Sequence, residues 1–226
     1  MERKYYEAYD DRYCQVHKEK LQWFAHTPSK IVMETICKYE INKRDALLEI
    51  GCGEGRDAIF LMEQGYDLLA TDISPEAVRF CKERYSRFAS DFQVLDCITT
   101  GLNRSFDFIY AVAVVHMLVQ QGDRNGFYRF VREHLSERGI ALICSMGDGV
   151  SERCSDVSQA FALQERVHDQ TGKRLQIAGT SYRAVSFAYF EEEILRNGLE
   201  ILEQGVTAVM PDYGHMMYAV VKKSSS

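Results

Sequence analysis

Residues Leu47–Gly55 read Leu-Leu-Glu-Ile-Gly-Cys-Gly-Glu-Gly. The apolar run Ala46–Ile50 (ALLEI), stopped by glycine, predicts a short strand buried on both faces. Glycines at three alternate positions let the chain turn tightly and let a ligand approach the backbone. The next segment, Arg56–Gln64 (RDAIFLMEQ), predicts a helix, and Gly65 is a good C-terminal stop. Amides entering that helix point at an anion. Strand, glycine turn and helix in this order open a parallel α/β unit. Such units take ligands at the carboxyl ends of their strands.

The alternation continues on both sides of this unit. A helix over residues 29–40, capped by Ser29, precedes it. Asp67–Thr71 predicts a second strand. Ser74–Pro75 opens a helix running through Glu76–Phe88, with serine as the cap and proline at the first helical position. Further strands are expected at Phe92–Leu95, Phe106–Val114 and Gly139–Ser145, with a helix over Asp123–Leu135. A short helix, Glu191–Arg196, leads to two apolar runs, Leu199–Met210 and Met216–Lys222. The turn between them, Pro211–Gly214, is too short for a crossover helix, so they predict an antiparallel hairpin. The expected fold is α/β: a three-layer, doubly wound, mostly parallel seven-stranded sheet with a C-terminal antiparallel hairpin. One domain spans 1–226. It comprises an N-terminal helical lid (1–40), a ligand-binding core (46–145), a polar insertion over the mouth of the sheet (147–182), and a C-terminal helix and hairpin (186–222).

Composition narrows the class of ligand. The chain has 226 residues, 27 basic against 33 acidic, for a net charge of -6. Its basic residues are interleaved with acids, as in Lys82–Arg84, which argues against a nucleic-acid partner. Seven cysteines show no CxxC pair and no metal-ligand spacing with histidine, so no metal is expected. The odd count and the polar start MERKYYEAYDDRY suggest a reducing, cytoplasmic setting. No run approaches the ~20 apolar residues needed to span a membrane. A monomer or homodimer acting on a small molecule is the expectation.

A dinucleotide would exploit the same glycine physics. Its fingerprint is G-x-G-x-x-G, whose third glycine permits close helix–strand packing. Counted from Gly51, that position is Arg56. An NAD(P)-linked oxidoreductase is therefore the weaker alternative. A carboxylate at Asp72 does not discriminate, because either ligand carries a ribose diol.

The segments LLEIGCGEGRDAIFL, LLATDISPEAV, LDC at 95–97, FDFIYAVAVVHML and HLSERGIALICS fall in the order of the class I, Rossmann-like S-adenosylmethionine-dependent methyltransferases. The resemblance covers roughly residues 46–145. The wording GEGRDAIFL and GYDLLATDISPEA is similar to small-molecule methyltransferases of the tellurite-resistance and thiopurine branches. The resemblance implies S-adenosylmethionine as cofactor. It places Gly51, Cys52, Gly53 and Gly55 along the methionine part, and has Glu49 orient that loop or meet the cofactor's amino group. It puts Asp72 on the ribose hydroxyls, Ile73 on the adenine, Asp96 and the Cys97 amide at the adenine edge, and Ala111 and Val112 beside the sulfonium.

On the acceptor side, His116 follows the fourth strand and is the candidate general base. Tyr182, Arg183, Tyr213 and His215 are candidates for substrate contact. The aromatic residues Tyr5, Tyr6, Tyr9, Tyr13, Trp23 and Phe24 look like a lid, with Trp23 a further substrate candidate. Cys52 reads as a small buried residue and not a nucleophile. The implied activity is methyl transfer to an O, N or S atom of a small molecule. A non-catalytic cofactor-binding partner protein is the other alternative.

Overall fold

The computed structural model describes residues 3–23, 27–168, 170–207 and 215–224. A short 3-10 turn at Tyr5–Glu7 leads into α1 (Ala8–Lys18), followed by α2 (Lys30–Lys38). The core then alternates through β1 (Ala46–Ile50), α3 (Arg56–Glu63), β2 (Asp67–Asp72), α4 (Pro75–Arg84) and β3 (Phe92–Val94). It continues with β4 (Phe106–Val112), α5 (Gln121–His134) and β5 (Leu135–Met146). The chain next makes the short strands β6 (Arg153–Cys154), β7 (Leu163–Val167), β8 (Arg174–Ala178) and β9 (Arg183–Ala184). It closes with α6 (Phe187–Arg196), β10 (Leu199–Thr207) and β11 (Met216–Lys223).

Seven strands form one sheet in the order β10-β11-β5-β4-β1-β2-β3. β1 pairs in parallel with both β2 and β4, so the strand order reverses at β1. β11 runs antiparallel between β5 and β10, which is the expected C-terminal hairpin. Its turn, Pro211–Gly214, lies outside the described residues. The central strands are apolar on both faces because helices cover both. Leu48, Ile109, Phe127 and Val131 belong to one core, and Leu47, Leu61, Phe108 and Leu142 to the other.

Element ends differ from expectation where local chemistry intervenes. β4 stops at Val112 because Ala113 takes a left-handed φ of 62°. α6 begins a full turn earlier than expected, because Ser186 caps it by accepting from the Tyr189 amide. The insertion is organised rather than irregular: β6 pairs with β9, and β7 pairs with β8 as a hairpin. Leu175 and Ile177 of β8 pack on Val16 of α1. Arg12 donates to the Ala178 carbonyl, and the Ala178 amide donates to Gln15. The insertion thus backs the N-terminal helix.

Tyr5 pins the N-terminal arm to the start of α5. Its hydroxyl accepts from the Val119 and Gln120 amides at 2.8 and 3.1 Å and donates to Asp123 at 2.8 Å. Tyr5→Phe leaves one buried and one part-buried amide without that acceptor, and should cost about 1–2 kcal/mol in urea unfolding.

Candidate active site

The cavity opens where β1 and β4 diverge, at the carboxyl ends of the strands. Gly51, Gly53 and Gly55 have φ of 76°, 52° and 81°, the left-handed region where a side chain is strained. Gly51 also has no room for one: a Cβ there would lie 2.4 Å from Cγ2 of Val114. The amides of Gly51 and Cys52 both donate to the Thr71 carbonyl, at 2.7 and 2.8 Å, which ties the loop to the end of β2. Gly55 forms the entry to α3 and packs against Cys81 and Tyr85, behind the cavity wall.

The cavity, with the solvent space open to it, measures about 1160 Å³. Glu49, Gly51, Cys52, Gly53, Asp72, Ile73, Asp96, Cys97 and Val112 line it. Ala111 does not line it; that residue is buried in the core below. The chain beyond β4 adds Ala113, Val114, Met117 and Leu118 to the lining.

Carboxylates dominate the polar lining. Asp72 accepts from the Gly53 and Ser74 amides, each at 2.8 Å, so it organises the glycine loop. Burial outweighs those bonds and pushes its carboxyl up to about 6. Glu49 accepts from the Tyr110 hydroxyl at 3.0 Å; burial, reinforced by Asp57, holds its carboxyl well above the ordinary range. Asp96 accepts from the Ile98 amide at 2.9 Å and the Thr99 hydroxyl at 2.8 Å. Burial raises the Cys97 thiol to about 12 and the Cys52 thiol well above its ordinary value; for Cys52 a hydrogen bond with Cys81 contributes first. Neither sulfur is set up as a nucleophile.

Sequence reasoning missed three features of this wall. Arg56 lines it and donates to the Ser29 hydroxyl at 2.8 Å, while Asp57 accepts from the Ser29 amide and hydroxyl at 2.7 Å each. The sign available was its place in the motif, directly after the last glycine. Glu54, inside the glycine run, is buried and binds the N-terminal arm. Gln22 adds a polar group from the same arm.

The predicted lid divides. Tyr6, Tyr9 and Tyr13 line the cavity from the turn of the N-terminal arm and from α1. Tyr6 donates to Asp96 at 3.4 Å. Trp23 faces elsewhere: it packs with Leu175 and Ile177, and the Arg12 guanidinium lies 4.9 Å over its ring. Phe24 lies outside the described residues.

The acceptor-side candidates are largely displaced from the cavity. His116 is 1 % exposed and is absent from its lining. Its Nδ1 accepts from the Met146 amide at 3.4 Å, so that nitrogen carries no proton. Burial first, then the charge of Arg124, lowers its pKa to about 3. The imidazole expected as general base is thus neutral and lies behind the wall, outside the cavity lining. Tyr182 exchanges hydrogen bonds with Ser155 within the insertion. Arg183 donates to the Val119 carbonyl at 3.2 Å and stacks on Tyr189. His215 is exposed at the head of β11, and Tyr213 lies outside the described residues. Among the described residues no cluster of three metal-ligating side chains occurs, and no helix is long and apolar enough to cross a membrane.

Part of the chain matches a known family model. Residues 48–141 match the methyltransferase-domain family. The chain is 30% identical over 142 residues to a protein named Hemagglutinin 1 from Eikenella corrodens, covering 61% of this chain and 44% of that one. It is 25% identical over 99 residues to a probable S-adenosyl-L-methionine-dependent methyltransferase, TehB, from Haemophilus influenzae, covering 43% of this chain and 34% of that one. The chain therefore spans less than half the length of these relatives. An S-adenosylmethionine-dependent methyltransferase from Clostridium acetobutylicum superposes with a TM-score of 0.66 at 17% identity, over 94% of this chain and 96% of that one. A 1,6-didemethyltoxoflavin-N1-methyltransferase from Burkholderia thailandensis, solved with its acceptor and S-adenosylhomocysteine, gives 0.67 at 15%, over 94% and 85%. At these identities the two structures share the fold with this chain.

Proposed function

We infer that this chain, which carries a class I, Rossmann-like methyltransferase domain, uses S-adenosylmethionine to methylate a small molecule. The observation that carries this is the cavity at the strand-order reversal. There the glycine loop, Asp72 and Asp96 share one lining with Val114, Met117 and Leu118.

The residues present fit the cofactor. Gly51, which a Cβ would drive into Val114, keeps the loop close against the cavity lining. Asp72 is placed for the ribose diol, Ile73 for the adenine face, and Asp96 with the Cys97 amide for the adenine edge. Arg56 is a cation suited to the cofactor's one carboxylate, and Glu49 an acid suited to its amino group. Val112 and Ala113, which line the cavity, would border the sulfonium. When bound, the cofactor supplies an electrophilic methyl that needs little activation. The protein's share of the work is alignment and exclusion of water. Tyr6, Tyr9 and Tyr13 cover the space from outside, while Met117 and Leu118 give the acceptor an apolar wall. With His116 buried and neutral, the lining favours an acceptor whose lone pair attacks without a histidine base, whether nitrogen, sulfur or an already ionised oxygen.

Isothermal titration should show S-adenosylmethionine and S-adenosylhomocysteine binding one-to-one, with NADH and NADPH giving no heat. Incubation with a panel of amines, thiols, phenols and ring-nitrogen heterocycles should then yield a product heavier by one methyl group. Binding of the dinucleotides alone would refute the cofactor assignment. Cofactor binding with no product from any acceptor would favour a non-catalytic partner protein.

A further inference from the structure

The N-terminal arm lines the cavity through Tyr6, Tyr9, Tyr13 and Gln22, so its movement would widen the path of a bound ligand. The fastening at the end of α1 is ionic and buried. Nε2 of His17 lies 2.9 Å from Glu54, and Nδ1 lies 2.8 Å from Glu76. The three side chains are 7, 3 and 13 % exposed. Glu54 sits between Gly53 and Gly55 on the cavity wall, and also accepts from the Trp23 amide at 2.8 Å. Glu76 is in the first turn of α4, where Asp10 of the arm accepts from its amide at 3.0 Å and from the Ser74 hydroxyl at 2.6 Å. The His17 ring stacks on Phe80 at 4.5 Å. One imidazole thus joins the lid, the glycine loop and the helix after Asp72.

We propose that His17 is a positioning residue: as an imidazolium bridging Glu54 and Glu76 it latches the arm over the cofactor, and its deprotonation releases the latch and speeds cofactor exchange. The proposal rests on the cofactor assignment above. Only a doubly protonated ring can donate to both carboxylates; a neutral one turns a lone pair toward one of them. The charged groups around it favour the cation. Glu54 faces it from the glycine loop, and Glu76 from α4 with Arg79 behind, bonded to that carboxylate at 2.6 Å. Arg84 lies across the Phe80 ring, and Tyr13 is the near titratable neighbour on α1 itself. Burial alone would lower the imidazole's pKa. The hydrogen bonds from Glu54 and then Glu76 outweigh it and hold the group above its ordinary 6.5. A raised folded value means that the latch is complete below pH 6.5 and is lost as pH climbs through the raised value.

The chain's single tryptophan, Trp23, is bonded to the latch and reports on it. Stopped-flow dissociation of S-adenosylhomocysteine, followed by Trp23 fluorescence from pH 6 to 9, should accelerate about tenfold across the titration, the low end for a charge-assisted bond. His17→Gln should dissociate fast and without pH dependence over that range. Glu76→Gln, which keeps one carboxylate on the ring, should shift the wild-type profile to lower pH, a change that mere loss of packing would not produce. A wild-type rate flat in pH, or an unaltered profile in His17→Gln, overturns the proposal. Hydrogen exchange of residues 8–18 in the ligand-free protein, corrected for intrinsic rate, tests the latch separately from the cofactor. Protection should fall above the titration in wild type and be low throughout in His17→Gln. Failure to bind S-adenosylhomocysteine with that exchange pattern intact would refute the cofactor and leave the latch standing. The reverse result would refute the latch.

Discussion

Glu193→Ala should lower the unfolding free energy by about 3–5 kcal/mol, the cost of stranding one partner of a buried ion pair. Both side chains of the Arg124–Glu193 pair are fully buried, and the guanidinium meets the carboxylate with two bonds of 2.6 Å. Arg124 also donates to the carbonyls of Val115 and Leu118 at 2.7 and 3.0 Å. Those carbonyls flank the turn that carries Met117 and Leu118 to the cavity. For a chain of this size the fall in Tm should be on the order of 10 °C. An apolar double variant, Arg124→Met with Glu193→Leu, removes the stranded charge, so most of the loss should be recovered. Recovery should stay incomplete, because the two carbonyls still lack their donor. A loss below about 1 kcal/mol for the single variant would show that Arg124 finds solvent or another acceptor. Chemical unfolding monitored by circular dichroism decides between them.

That pair also shows where sequence reading stopped. The glycine loop was legible because a φ above zero strains a residue that carries a Cβ, and three such positions in one loop are filled by Gly51, Gly53 and Gly55. The parallel sheet was legible because strands buried on both faces are mostly apolar without alternation, as Leu47–Ile50 and Phe106–Val112 are apart from Glu49 and Asp107. Asp72 and Asp96 were legible because they sit at or just beyond strand ends, and the ends face the cavity. The acceptor wall was not. His116 was placed correctly along the chain, but the left-handed kink at Ala113 and the turn after it bring Met117 and Leu118 to the cavity and leave His116 inside. No periodicity announces a left-handed alanine. Arg124 and Glu193 are 69 positions apart, and His17 and Glu54 are 37 apart; each reads as a surface charge until the fold supplies its partner. The insertion was expected to cover the mouth directly. It acts one layer back, through β8 on α1, because its apolar residues Leu175 and Ile177 face Val16.

Asp72→Ala should weaken S-adenosylhomocysteine binding by about 2–3 kcal/mol, roughly 30- to 150-fold. Two losses combine in that figure. The ribose diol loses a charged acceptor, and the Gly53 and Ser74 amides lose the carboxylate that sets the loop before the ligand arrives. Asp72→Asn separates them: the amide keeps the shape and one acceptor oxygen but no charge. It should bind with intermediate affinity. The pH profile carries the sharper test. Burial holds the free carboxyl at about 6, and binding favours its ionised form, so wild-type affinity should rise about tenfold between pH 5 and pH 7. The asparagine variant cannot ionise there and should lose that acid limb, while any weakening on the alkaline side persists through His17. An Asp72→Asn protein that keeps the acid limb would assign the limb to another carboxyl, with Glu49 the next candidate because burial raises it on the same wall. Unchanged affinity in Asp72→Ala would remove the ribose from this end of β2 and reverse the cofactor's direction across the cavity.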